Sequence, residues 1–99
     1  MYVVLLTYTA PLQEIDYALG DHVEWLAKQY EHEYLLASGR REAHLGEVLL
    51  ARPMPRGKLD AVLASDPLAL EHLAHHEVIE FAVTRTAAQL RELNESITH

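Results

Sequence analysis

The stretch YVVLLTY, residues Tyr2–Tyr8, decides the fold of this chain. It is rich in β-branched and aromatic residues and is bounded by residues 9–11, which end in Pro11, so it predicts a β-strand. A sheet with helices on one face should have strands that alternate apolar and polar residues. Residues 2–6 are all apolar, so both faces of this strand need cover. Because 99 residues leave too little chain for the second face, we expect a homodimer packed sheet to sheet.

The remaining chain predicts a single α+β domain of the ferredoxin-like type, with the element order β-α-β-β-α-β and a four-stranded antiparallel sheet. Apolar residues recur every three or four positions from Glu14 to about Leu36, which indicates a helix. Residues 34–37 fit either the end of this helix or a short strand. The later predicted elements are a strand at Gly46–Arg52, helical pieces at Leu59–Ala64 and from Pro67, and a strand at Val78–Arg85.

The C-terminal residues predict one more helix. Thr86 and Gln89 have the spacing of a capping box. Leu90, Leu93 and Ile97 form a thin apolar stripe, so we expect the helix to pack on the domain or on a second subunit. The chain therefore divides into a ferredoxin-like domain at 1–85 and a helical tail at 86–99.

The amino-acid composition limits the classes of molecule that this chain is expected to bind. The formal charge is −7, from 15 acidic and 8 basic residues, and this argues against a nucleic-acid partner or an anionic membrane surface. The apolar opening run is too short to span a membrane and lacks the layout of a signal peptide. The absence of cysteine excludes disulfides, thiolate metal sites and thiol catalysis, and is compatible with the cytoplasm, the location that we expect.

His22 is the first candidate for chemistry. At about 100° per residue, it lies within roughly 40° of Ile15 and Leu26 around the helix, so its ring points with the apolar face. A buried histidine can be a core residue whose ring nitrogens bond to the backbone or to water. It can also be a general acid or base whose pKa a nearby carboxylate tunes.

Asp66 is the second candidate. An aspartate directly before Pro67 is a helix-start signal, since its carboxylate accepts a backbone N–H at the cap. A capping carboxylate also has lone pairs left for an imidazole, so the cap and an acid–base role are compatible. The nearby histidines His72 and His76 have helical spacing, but no third ligand accompanies them and we predict no metal.

Three local patterns together resemble the YciI-like (YCII-related) family, which is related in fold to muconolactone isomerase. These are the opening strand, a helix with one inward histidine that leads to Ser38-Gly39, and Ser65-Asp66-Pro67-Leu68 followed by the strand from Val78. The likeness spans roughly residues 1–85. It implies a dimeric α/β barrel and a site in which His22 pairs with Asp66.

The resemblance also implies a function. It suggests cofactor-free acid–base chemistry of the isomerase or lyase (dehydrochlorinase) type on a small organic molecule, with His22 as the base and Asp66 fixing its tautomer. The chain departs from the family pattern at Gly39-Arg40-Arg41, and a basic rim from Arg40 or Arg41 suits an anionic ligand. Tyr8, at a strand end, and His44, in a loop, are the other residues expected to line the pocket. The alternative is a non-catalytic dimer that binds a small ligand or a protein, with His22 and Asp66 structural.

Overall fold

The computed structural model describes residues 1–96. One antiparallel sheet carries its helices on one face, and the strand order is β2-β3-β1-β4, as the ferredoxin-like prediction requires. The elements are β1 (Tyr2–Tyr8), α1 (Leu12–Glu31), β2 (Leu35–Arg40), β3 (Gly46–Ala51), α2 (Arg56–Ala64), α3 (Pro67–Leu70) and β4 (Ala74–Glu80). Short 3-10 helices lie at Glu42–His44 and Ala88–Leu93.

The two faces of the central strand β1 differ in cover. Tyr2, Val4 and Leu6 are buried against the helices. Val3 and Leu5 point to the other face, where they are half-buried. Their half-buried apolar neighbours on that face are Val48 and Leu50. We call this the open face; it is the apolar second face that the sequence predicted.

The structure decides between the two alternatives for residues 34–37 and corrects the predicted bounds of β4. Helix α1 ends at Glu31, because Glu33 takes a left-handed conformation (φ 63°) and turns the chain into β2, so residues 35–37 belong to a strand. The bounds predicted for strand β4, Val78–Arg85, are both wrong: the strand spans Ala74–Glu80, because it pairs with the whole length of β1. His76 therefore lies on a strand, and the helical spacing predicted for the histidines at 72 and 76 is wrong.

The tail crosses one end of the open face. Val83 and Leu93 pack with Met1 against Leu36 and Leu50. The tail helix is a 3-10 helix capped at residue 87 without a side-chain hydrogen bond, so the predicted capping box does not form. Residue 97, the last of the predicted apolar stripe, lies outside the described residues. The predicted division into a domain at 1–85 and a tail at 86–99 remains a prediction.

None of the helices within residues 1–96 has the length and apolar character that crossing a membrane requires.

Candidate active site

Helix α1 places His22 over the centre of the sheet. The ring shares the buried face of the helix with Ile15 and Trp25, and the side chain is only 1% exposed. Beneath it, Leu6 of β1 pairs with Glu47 of β3 on one side and with His76 of β4 on the other. The sheet therefore presents an acid and a histidine in one cross-strand row on its helix-covered face.

Asp66 is both a helix cap and the partner of His22. Its Oδ1 accepts a hydrogen bond from the backbone N–H of Leu68 at 3.0 Å, with Pro67 in the first turn of α3. The same oxygen lies 2.8 Å from Nδ1 of His22, which donates to it when that nitrogen carries the proton. Asp66 is fully buried, so its remaining lone pairs have no access to solvent.

The other ring nitrogen of His22 also faces a carboxylate. Nε2 lies 2.6 Å from Oε2 of Glu47, off the direction of the N–H bond. At the far end, Nε2 of His76 lies 3.3 Å from Oδ2 of Asp66, again off axis. The site is thus a chain of four groups that runs Glu47, His22, Asp66, His76.

Glu47 and His76 are missing from the sites predicted from the sequence. A signal for Glu47 was present, because residues 47, 49 and 51 share one face of a strand and the latter two are apolar in this chain. An acid on the same face of the strand as Leu49 and Ala51 points into the core. His76 has no such signal, because the sequence pattern predicts a helix for its segment.

The carboxylates hold His22 in its charged form. Burial lowers the pKa of an imidazole, but the hydrogen bond to Asp66, the close contact with Glu47 and the charges of both outweigh it and raise the pKa of His22 to about 9. For Asp66, burial raises the pKa, whereas the hydrogen bond from His22 and the contact with His76 lower it to about 2. Between these values the pair is an imidazolium and a carboxylate.

Trp25 fixes the position of the pair from one turn along α1. Its ring stacks on that of His22 with the centroids 5.7 Å apart and 21° between the planes, a geometry suited to an imidazolium. Its Nε1 donates to Oγ of Ser65 at 2.9 Å, directly before Asp66 in the chain. One side chain therefore connects the histidine to the turn that carries the aspartate.

A cavity of about 520 Å³ opens beside the ring, between α1 and the strands β2 and β3. This volume is in the range of small-molecule sites. Its polar lining includes His22 and Glu47 together with Tyr8, Arg40 and His44, so the structure brings the three predicted pocket residues to one place. The apolar lining residues are Leu12, Ile15, Leu19, Val23 and Leu26.

The basic rim comes from one arginine. Arg40 lines the cavity, whereas Arg41 donates from Nη1 to Oγ1 of Thr7 at 2.8 Å and is not among the lining residues. Tyr8 also lines the cavity, and burial followed by the charge of Glu47 raises the pKa of its hydroxyl. The cavity wall thus combines the Arg40 guanidinium, the Tyr8 phenol and the carboxylates of Asp16 and Glu47.

The backbone around Glu47 is tightly constrained. Gly46 has φ 151°, and a Cβ at this position would lie 1.8 Å from the carbonyl oxygen of Leu6. Ala43 and His44 both have left-handed φ values, 58° and 56°. Glycine at 46 therefore permits the close β1–β3 contact that brings Glu47 to the cavity.

Within residues 1–96 no cluster of three or more His, Asp or Glu side chains has the arrangement of a metal site.

His75 is exposed while its neighbour His76 is half-buried, because consecutive residues of β4 point to opposite faces.

The chain is similar in fold to a solved enzyme structure. No protein-family model and no curated protein matches the sequence. Among solved structures, the chain is similar to a 5-chloro-2-hydroxyhydroquinone dehydrochlorinase from Burkholderia phenoliruptrix AC1100, in complex with 2,5-dihydroxybenzoquinone. The TM-score is 0.69 at 14% identity, over 84% of this chain and 95% of the other. At this identity the likeness shows a relation of fold.

Proposed function

We propose that this chain is an enzyme that transfers a proton on a small organic substrate, in a reaction of the isomerase or lyase type. The observation that carries the proposal is the buried contact of His22 with Asp66, 2.8 Å long, at the wall of a cavity of small-molecule size. Buried ionisable groups with displaced pKa values that meet beside a cavity are typical of active sites.

The charged pair suits reactions in which negative charge develops on the substrate. Asp66 holds Nδ1 of His22 and stabilises the imidazolium, as a carboxylate does in hydrolase triads. Removal of a proton from carbon leaves an electron pair that can re-form a C–H bond elsewhere, giving an isomer. The pair can instead form a C=C bond while a neighbouring chloride leaves with the C–Cl electrons, giving dehydrochlorination.

The cavity lining favours an anionic or phenolic substrate. Arg40 supplies a cation at the rim, and Tyr8 and His44 supply donors that can meet oxygen atoms. The leucines along α1 give the apolar wall that an aromatic or unsaturated ring requires. The dehydrochlorinase of similar fold is recorded with a dihydroxybenzoquinone, a compound of this class.

A second candidate function is a non-catalytic module that binds a small ligand or a partner protein. The observation that favours it is the 1% exposure of the His22 side chain, which suits a structural ion pair. In that case His22 and Asp66 fix α1 and α3 on the sheet, and the cavity binds without chemistry.

We further propose that the working form is a homodimer joined through the open face. Val3, Leu5, Val48 and Leu50 give this face an apolar surface, and Ile79 at its edge is 47% exposed. The relation of this chain to YciI-like proteins and its cytoplasmic location also remain predictions.

The enzyme hypothesis is tested by turnover. The purified chain is incubated with 5-chloro-2-hydroxyhydroquinone and a panel of hydroxyquinones and unsaturated lactones, and chloride release and product formation are measured. We expect turnover in the wild type and in the control His32→Gln, an exposed histidine next to the same helix, and loss in His22→Gln. Binding of 2,5-dihydroxybenzoquinone without turnover of any compound would favour the binding module.

A further inference from the structure

Both nitrogens of the His22 ring are engaged. Nδ1 bonds to Asp66 and Nε2 lies 2.6 Å from Glu47, and no solvent reaches Nε2. Nε2 is thus shielded from the cavity, whereas the carboxylate that contacts it belongs to a residue that lines the cavity. Glu47 is the most exposed of the three side chains, at 10% against 1% for His22 and 0% for Asp66.

We infer that the Glu47 carboxylate, and not the His22 ring, takes the proton from the substrate, while His22 stays an imidazolium between two carboxylates. This inference rests on the proposed function and assigns its base. It replaces the hypothesis that His22 is the base, since neither ring nitrogen has a free lone pair that faces the cavity.

The charge state of the ring agrees with the geometry. With a pKa of about 9, His22 is protonated at neutral pH and cannot accept another proton. Six ionisable groups surround the Glu47–His22 contact from the packed elements: Tyr8, Asp16, Arg40, His44, Asp66 and His76. Of these, Asp66 is the group in direct contact with the ring, and its carboxylate stabilises the positive charge of the His22 imidazolium.

The proton balance is complete within the substrate and Glu47. A C–H proton passes to the Glu47 carboxylate, and its electron pair stays on the substrate as an enolate. The neutral carboxylic acid no longer repels the new oxyanion and can donate its O–H to it. Glu47 returns the proton to another carbon, or gives it to water after the pair has expelled a leaving group.

This assignment also defines the substrate class. The acidic C–H must lie beside a carbonyl group or a quinone-type ring, so that the electron pair can move onto oxygen. Arg40 lies among the lining residues and supplies the countercharge for a second, anionic oxygen. Hydroxylated quinones, the keto tautomers of their reduced forms, and unsaturated lactone acids meet both requirements.

The test compares variants of Glu47 in the assays above. The variants are Glu47→Gln, Glu47→Asp and Glu47→Ala, with Glu24→Gln as a control on the exposed side of α1. Chloride release from 5-chloro-2-hydroxyhydroquinone gives kcat and KM, and added formate tests whether a free carboxylate replaces the missing one. Deuterium uptake from D2O into 2,5-dihydroxybenzoquinone gives a second readout of proton transfer.

We expect Glu47→Gln to lower kcat by about 10²-fold or more, the usual worth of a general base, with KM changed less than about threefold. Glu47→Asp should retain part of the rate, and formate should restore part of it in Glu47→Ala. If Glu47→Gln keeps its rate while His22→Gln loses it, Glu47 is not the base and the proposed function stands. If the wild type turns over no compound of the panel, both the base and the proposed function are refuted.

Discussion

The ion pair at His22 predicts how the stability of the fold depends on pH. Unfolded histidine has a pKa of 6.5, and the folded value is about 9. The folded state therefore binds the proton more tightly, and its extra stability is complete below pH 6.5 and lost as the pH rises through about 9. One pKa unit corresponds to about 1.36 kcal/mol. The difference between the two values gives roughly 3 kcal/mol for this side chain, which is 1% exposed.

The lowered pKa of Asp66 arises from the same contact with His22. Its contribution to the free energy of unfolding is therefore not added to that of His22. Its pKa falls from 3.8 to about 2, so its share of the stability is present above pH 3.8 and is lost as the pH drops toward 2. The pair therefore contributes its full stability between about pH 4 and pH 6.5, and loses it at both ends of the scale.

The assay is urea unfolding at a series of pH values from 5 to 10, for the wild type and for His22→Gln. We expect the free energy of unfolding of the wild type to fall by roughly 3 kcal/mol more than that of the variant between pH 6 and pH 10. Parallel curves for the two proteins would refute the argument. If the variant does not fold, NMR of labelled histidine in the wild type measures the same pKa, and a His22 value below 7 would refute it.

Four further changes test separate parts of the structure. Asp66→Asn keeps the helix cap but removes the charge, so we expect a loss of about 10² to 10⁴ in rate with a lower His22 pKa by NMR; unchanged rates would make the charge irrelevant to the chemistry. Gly46→Ala should lower the free energy of unfolding by roughly 2–4 kcal/mol, measured by urea, because its Cβ meets the Leu6 carbonyl. Trp25→Phe should cost about 1 kcal/mol in the same measurement through the lost bond to residue 65. Leu5→Lys should yield monomers in analytical ultracentrifugation, whereas a stable dimer would place the interface elsewhere.

Much of the fold could be predicted because its signals are local. The β1 prediction has the observed bounds, since a run of β-branched and aromatic residues leaves little choice of structure. The cap at Asp66 follows from its neighbour Pro67. The inward direction of His22 follows from helical periodicity alone. That it meets Asp66 depends on tertiary structure, and this pairing came from the resemblance.

The missed features depend on contacts between distant residues. Strand β4 contains histidines and glutamates and has weak strand propensity, so its extent is set by pairing with β1. His76 enters the site only through that register. Glu47 lies 25 positions after His22 in the chain, and no local pattern indicates that an acid in one strand will meet a ring on a helix. Alternation within β3 gives the direction of Glu47 but not its partner.

The cross-strand row of Glu47, Leu6 and His76 has a consequence for folding. A slip of one residue in the β1–β3 pairing would turn Glu47 away from His22, and a slip in the β1–β4 pairing would turn His76 away from Asp66. Breaking a buried ion pair costs about 3–5 kcal/mol, comparable to the whole stability of many small domains. The polar row therefore selects the native register against its shifted alternatives. The side chains of the proposed site therefore also specify the alignment of the strands.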